Sequence, residues 1–462
     1  MTVTSRATGS VPSATGSAPS TAGSAAGPLA TDGSVTVVGA SLAGLRTVQG
    51  LREHGFTGRI TLVGDELHYP YDRPPLSKQV LAGTWPPERV VLADYHALHD
   101  LGVDVRVGRR AVSLDAEAGR IELDDGAVVD ADRVVVATGA RPRTLPGTDG
   151  IDGVHVLRTL DDCESLRHRL AAAGAGARVV VVGAGFIGSE VASTCAGLGC
   201  TVTVVDALAT PLAPALGERI GAACGALHGR NGVDLRTDTG VVAIGPDRTV
   251  ELTDGTSLPA DVVVVGIGVV PNVEWLDGSG LTIDNGVVCD AALFAADRVV
   301  AVGDLARWNW RHHGHEELVR IEHWEVASQM GSAAARHLLA GRASAPDFDP
   351  VPYFWSDQYG LRIQVLGRPW PTDDVAVVHG AIPGENGSTG DRAGDSPADA
   401  GAIGASPTEG TEPDGKFVAI YGREGRLTAA LAISRPRQLM AFRPLLVAGA
   451  SWDAALALLD PA

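Results

Sequence analysis

Two short stretches have residue types and spacings suited to holding phosphate. Gly183, Gly185 and Gly188 follow the apolar run 178–182 as G-x-G-x-x-G. Gly39, Ser41 and Gly44 follow the run 35–38 in the same spacing, with serine at the middle place. In such a loop the first glycine permits a tight turn and the second lets backbone N–H groups approach a pyrophosphate. The third lets the helix pack on the strand. Ser41 slightly crowds that approach, and Ala43 lies at the helix start. A carboxylate about 20 residues further on suits a ribose hydroxyl. Asp65 and Glu66 follow the first loop, and Asp206 follows the second. Asp206 would accept from a 2′-hydroxyl and repel a 2′-phosphate, and no basic residue follows until Arg219, so NADH is favoured over NADPH. One glycine-rich turn is often only a strand–helix connection. Two, each with its own strand, helix and acid, point to two bound dinucleotides.

The elements that must position these loops are legible around them. The pattern strand, glycine turn, helix, strand occurs twice, over about 35–63 and 178–205. Its uninterrupted valine-rich runs suit buried parallel strands. Residues 133–136 form another such run, ending in the small-residue turn Ala137, Thr138, Gly139, and 262–265 repeats it into Gly266 and Gly268. A third run, 299–302, ends in Gly303 and Asp304. Asp304 suits a ribityl hydroxyl or a helix N-cap, and both roles are compatible.

Composition bounds the rest. The 462 residues allow about three domains. Acids outnumber bases 55 to 37, for a net charge of −18, which argues against a general nucleic-acid binder. Five cysteines are too few and odd in number for a secreted disulfide framework. No apolar run is long enough to span a membrane, and residues 1–33 lack the features of a secretory signal. A soluble cytoplasmic protein is expected. Residues 1–33, and a second tract at about 380–415, are rich in Ser, Gly, Pro and Ala. The first reads as a disordered tail and the second as a flexible insertion in a sheet.

The stretch Tyr71, Asp72, Arg73, Pro74, Pro75, Leu76, Ser77, Lys78 resembles the hallmark of ferredoxin reductases of oxygenase electron-transfer chains. The resemblance continues through residues 137–143, Gly303–Asp304, 320–324 and 352–358, and covers about 34–370. It implies a glutathione-reductase-like α/β fold, with two Rossmann-like dinucleotide-binding domains and a C-terminal α+β domain. An FAD domain (34–150 and 274–350) would be interrupted by an NAD domain (151–273), with the C-terminal domain at 351–462. FAD would meet Gly39, Ser41, Ala43, Gly44, Asp65, Glu66, Arg73, Lys78, the backbone near Ala111, Ala137, Thr138, Gly139, Arg141 and Asp304. Trp324 and Trp355 would pack near its ring. NADH would meet Gly183, Gly185, Phe186, Ile187, Gly188, Glu190, Asp206 and Gly268. The resemblance also implies that Glu190 reaches Lys78 beside flavin N5, making these two the catalytic pair.

Disulfide reductases of this fold carry a cysteine pair after the first unit. Residues 73–78 contain none. Cys195 and Cys200 have a C-x4-C spacing but fall at the second unit's helix and read as packed thiols. His312, His313 and His315 lack the further ligands that a metal site needs, and no metal is expected. The electrons would therefore leave the flavin directly for a 2Fe–2S ferredoxin, which would serve a P450 or a ring-hydroxylating oxygenase. Arg73, Arg307, Arg311 and Arg336 could form a basic rim for that transient partner, or be ordinary solvated arginines. A monomer or homodimer is expected. Alternatives on the same fold are an electron donor to rubredoxin or nitrite reductase, or an NADH-sensing flavoprotein with slow turnover.

Overall fold

Valine fills the strands that begin each half of the molecule, and the sheets form where its branched side chains pack on both faces. The computed structural model describes residues 27–383 and 415–458. Its first sheet has six strands, in the order Phe294–Ala296, Val299–Ala301, Arg133–Val136, Ser34–Val38, Arg59–Gly64, Val103–Val107. Only the first of these pairs is antiparallel. Val38 lies beside both Val63 and Val136, and Ala301 beside Val136. Gly39, Ala137 and Asp304 therefore leave the sheet at one edge, although the chain separates the last from the others by a whole second sheet.

That second sheet is wholly parallel, in the order Asp234–Arg236, Thr201–Val205, Arg178–Val182, Val262–Val265, Val154–His155. Val182 lies beside Val205 and Val265, so Gly183, Asp206 and Gly266 share an edge in the same way. A third, antiparallel sheet of five strands runs Tyr353–Gln358, Leu361–Gly367, Arg426–Ile433, Val418–Arg423, Asp374–His379. Ile363, Val365 and Leu431 on one face pack against Leu216, Ile220 and Cys224 of the helix Ala213–Arg230. The other face is covered by Leu439, Phe442 and Leu446 near the C-terminus.

Close approach explains the outer glycines of both loops. Gly39 and Gly183 have φ of +122° and +102°, and a Cβ on either would fall 2.1 or 2.4 Å from the carbonyl oxygen of Ala137 or Gly266. A Cβ on Gly44 or Gly188 would lie 2.0 Å from the oxygen of Gly39 or Gly183. The helix Leu42–Glu53 also meets the helix Trp324–Ala340 through small residues, with Gly331 against Ala43 and Gly50 against Ala335.

The described chain starts at residue 27, inside the expected tail. Leu29 is buried and its N–H bonds the Leu338 carbonyl at 3.0 Å, while Arg133 donates to the Gly27 oxygen at 2.6 Å. Leu29 is an apolar side chain at the end of a stretch that otherwise has little to bury. The rest of the expected tail, residues 1–26, lies outside the described residues. The two ends of the expected 380–415 insertion are also described. Ile382 is buried and Gly380 packs against Lys416, whereas 384–414 lie outside the described residues. Among the described residues no helix is long and apolar enough to cross a membrane.

Candidate active site between two nucleotide loops

Glu190 lies on the first turns of the helix Phe186–Gly197, just past the second glycine loop. Its carboxylate is 2% exposed and meets four donors. Lys78 Nζ and Ser77 Oγ donate to Oε2 at 2.6 and 2.5 Å. Ser356 Oγ and the Asp357 N–H donate to Oε1 at 2.7 and 3.3 Å. Ser77 and Lys78 come from the first sheet's connection, Glu190 from the second, and Ser356 from the third. Thr194, one turn on, donates to the Ser77 carbonyl at 2.7 Å. A buried ion pair is tolerated only when further hydrogen bonds satisfy it, and here three sheets contribute them. The pairing of Lys78 with Glu190 across 112 residues is thus present in the structure.

The segment before Lys78 is held by a second cluster. Tyr71 donates to Glu66 at 2.5 Å and accepts from the Leu160 N–H at 3.0 Å. Arg73 donates to Glu66 at 2.6 Å, to the Arg158 carbonyl at 2.7 Å and to Tyr71 at 2.8 Å. Burial and the neighbouring acid push the Tyr71 hydroxyl well above its ordinary range. Arg73 is consequently an internal tie and not part of a basic rim. Of the other rim candidates, Arg307 is paired with Asp284, and Arg311 with Glu316 and Asp347.

The turn at Ala137–Gly139 is locked to the returning chain. Thr138 Oγ1 donates to the Asn272 carbonyl at 2.8 Å, and the Asn272 amide donates to the Thr138 carbonyl at 2.9 Å. Asp304 pairs with Arg158 at 2.8 Å, and Arg158 also lies 3.3 Å from where a Cβ on Gly139 would be. Arg158 is not among the residues expected from the sequence. Arg141, expected among the FAD contacts, pairs with Glu274 at 2.6 Å, half-exposed. Nothing local in the sequence separates the two arginines, because only the fold brings residue 158 to residue 304.

Asp65 ends its strand exposed and has no partner among the described residues. Residues 108–111, including the buried Ala111, start beside it, with the N–H groups of Gly108 and Arg109 bonded to the carbonyls of Glu66 and Gly64. Asp206 accepts from the N–H groups of Ala184 and Leu208 at 2.6 and 2.8 Å, which ties it to its own glycine loop. Gly185 has nothing within 4 Å of a Cβ, and Gly268 meets only Arg143, at 3.8 Å or more. Ile187 is 48% exposed. Phe186 packs edge-on against Phe354 at 4.8 Å, and Phe354 lies 4.5 Å from His323. Burial pushes the His323 pKa down to about 4, so the ring is neutral. Trp324 and Trp355 meet edge-to-face at 6.1 Å.

These donors fit two dinucleotides. Each loop offers free backbone N–H groups at a helix N-terminus. Gly185 leaves open the space a phosphate needs, Ser41 uses no side-chain bond to cap its helix, and Asp65 and Asp206 supply carboxylates at the strand ends. The cysteines stand apart from this centre. Cys163 donates to the Leu76 carbonyl at 3.1 Å but is single and fully buried. Cys195 lies near the end of the helix Phe186–Gly197 and Cys200 just past it, and a hydrogen bond with Cys195 pulls Cys200 down to about 7 against the effect of burial. Cys200 is half-buried, so it is less completely packed than its spacing suggested. His312 pairs with Asp349 and stacks on Trp310, while His313 bonds the Leu446 carbonyl.

Two such nucleotide sheets, facing each other across a shared buried ion pair, define a pyridine-nucleotide flavoprotein. The chain matches the pyridine nucleotide-disulphide oxidoreductase family over residues 33–331 and the reductase C-terminal family over 407–462. It is 38% identical to rhodocoxin reductase of Rhodococcus erythropolis, over 76% of this chain and 81% of that one. With the ferredoxin–NAD(+) reductase component of the anthranilate 1,2-dioxygenase system of Burkholderia cepacia it shares 37%, over 90% and 95%. The solved complex of putidaredoxin reductase with putidaredoxin superposes with a TM-score of 0.78 at 31% identity, over 92% and 98%. The chain belongs to the ferredoxin reductase branch of these FAD- and NAD(H)-dependent oxidoreductases.

Proposed function

We propose that the protein takes reducing equivalents from NADH and delivers them singly to a 2Fe–2S ferredoxin that serves a P450 or a ring-hydroxylating oxygenase. The balance is NADH + 2 oxidised ferredoxin → NAD+ + H+ + 2 reduced ferredoxin. The observation that carries this reading is the Lys78–Glu190 pair, buried between the two nucleotide loops at 2.6 Å. The relatives named above supply the class of acceptor. FAD, when bound, supplies the ability to accept a hydride and release electrons one at a time, which nicotinamide effectively lacks.

The protein's own residues do the rest. Gly39 and Gly44 shape one phosphate cradle, with Ala43 at the helix start, and Gly183, Gly185 and Gly188 shape the other. Asp65 and Asp206 take the adenosine riboses. Arg158 and Asp304 hold the chain between ring and pyrophosphate. Lys78 presents a cation to the flavin, where it favours the reduced, negatively charged form. Glu190 fixes that ammonium and, through Ser356, excludes water from its far side. Phe186 and Ile187 line the nicotinamide's approach. Residues 73–78 hold no sulfur relay, so no step passes through a disulfide. We place the protein in the cytoplasm, as a monomer or homodimer.

An anaerobic absorbance titration of the holoenzyme with NADH and NADPH in parallel tests the donor half. Complete bleaching of the yellow band by one equivalent of NADH, at concentrations where NADPH does nothing, is the expected result. Equal bleaching by NADPH would remove the role given to Asp206.

A further inference from the structure

Asp72 has no place in the account so far, yet it is set between two of its parts. Its backbone N–H bonds the Val90 carbonyl at 2.7 Å, and its neighbours Tyr71 and Arg73 are locked into the Glu66 cluster, so its position is fixed. Its Oδ1 accepts from Trp324 Nε1 at 2.6 Å. This is the only hydrogen bond of either side chain among the described residues. Burial raises the carboxyl's pKa, while the indole bond, Lys78 and Arg46 oppose that rise. Lys78 acts there only through its field, without a hydrogen bond to Asp72.

Trp324 opens the helix Trp324–Ala340 and is partly exposed. Beyond it lies Trp355, edge-to-face at 6.1 Å, and beyond that Tyr353, stacked at 6.0 Å. An indole at a helix start can turn about two side-chain bonds. A charge-assisted hydrogen bond from a rigid loop selects one setting.

We propose that Asp72 is a positioning residue, anchoring the Trp324 indole on the route by which electrons leave for the ferredoxin. This rests on the functional reading above and on the expectation that Trp324 packs near the flavin. The anchor acts on electron delivery and not on hydride uptake, because it forms no bond with Lys78, Glu190 or either glycine loop. In each delivery one electron moves to the acceptor cluster and no covalent bond is made or broken.

The test compares Asp72→Asn with Asp72→Ala in the FAD-loaded enzyme. Both remove the negative charge near Lys78, so any change in flavin potential is common to them. Only the asparagine keeps an oxygen that can accept from the indole. Stopped-flow mixing separates bleaching by NADH from reoxidation by a 2Fe–2S ferredoxin. The indole N–H resonance of Trp324, assigned with Trp324→Phe, reports the hydrogen bond independently of turnover. We expect equal bleaching in the two variants. Ferredoxin reduction should be about tenfold slower in Asp72→Ala than in Asp72→Asn, within the roughly hundredfold that a 1 Å misplacement can cost. The indole resonance should move upfield further in Asp72→Ala than in Asp72→Asn. Equal ferredoxin rates in the two variants, or slower bleaching in Asp72→Ala than in Asp72→Asn, would overturn the inference. If the wild-type enzyme itself reduces no ferredoxin, the functional reading fails first, and the two failures are distinguishable.

Discussion

At the scale of single residues, the Glu190 carboxylate is a buried group with every hydrogen bond committed to the protein. Its two oxygens receive a lysine, two serines and a backbone N–H, so neither it nor Lys78 can be removed alone without leaving a buried charge. Glu190→Leu should therefore destabilise the fold by about 3–5 kcal/mol, whereas Lys78→Met with Glu190→Leu should recover most of that loss. Chemical denaturation of the three proteins measures it. A double variant no more stable than Glu190→Leu would mean that the carboxylate matters for its serine bonds and not for the charge. Part of this was legible beforehand, since Lys78 and Glu190 each stand at a fixed place relative to a recognisable motif. Ser77 and Ser356 were not, because a buried serine has no signature until its partner is known. The pairing of Arg158 with Asp304 has no local signature for the same reason. Nor does the tie of Arg73 to Glu66 and Tyr71, which only the fold brings together.

At the scale of elements, the two glycine loops have the same three positions but not the same constraints. The first and third glycines are demanded by the protein itself, through carbonyls about 2 Å from a Cβ. The middle one, Gly185, is open on the protein side, and in the proposed reading a glycine there serves the nucleotide. Gly188→Ala should cost stability, as an overpacked contact of about 1–3 kcal/mol or more. Gly185→Ala should leave the melting temperature within a few degrees and raise the Kd for NADH. Thermal melts and an NADH titration separate the two. A large loss of stability in Gly185→Ala would contradict the division. The strands and both loop helices were readable from valine runs and glycine spacing, because parallel buried strands leave that pattern directly. The limits of the 1–33 and 380–415 tracts were not, since one leucine or isoleucine, Leu29 or Ile382, is enough to pin a segment that composition describes as loose.

At the scale of the whole molecule, three sheets from four stretches of chain meet at one ion pair. The topology makes the return of the chain from the second sheet to the first a structural necessity. Asp304 reaches the edge shared by Gly39 and Ala137 only after residues 154–265 have built the second sheet. Trp355 and Ser356 then bring the third sheet to the same place. That convergence suits the proposed relay from one two-electron donor, through a resident flavin, to a one-electron acceptor protein. The most direct test is to mix the NADH-reduced holoenzyme anaerobically with a 2Fe–2S ferredoxin, with rubredoxin in a parallel cell, and to follow the acceptor's visible absorbance. We predict that two ferredoxins are reduced per NADH consumed, faster than rubredoxin. A reduced enzyme that holds its electrons in the presence of ferredoxin, or gives them only to rubredoxin, would contradict the account.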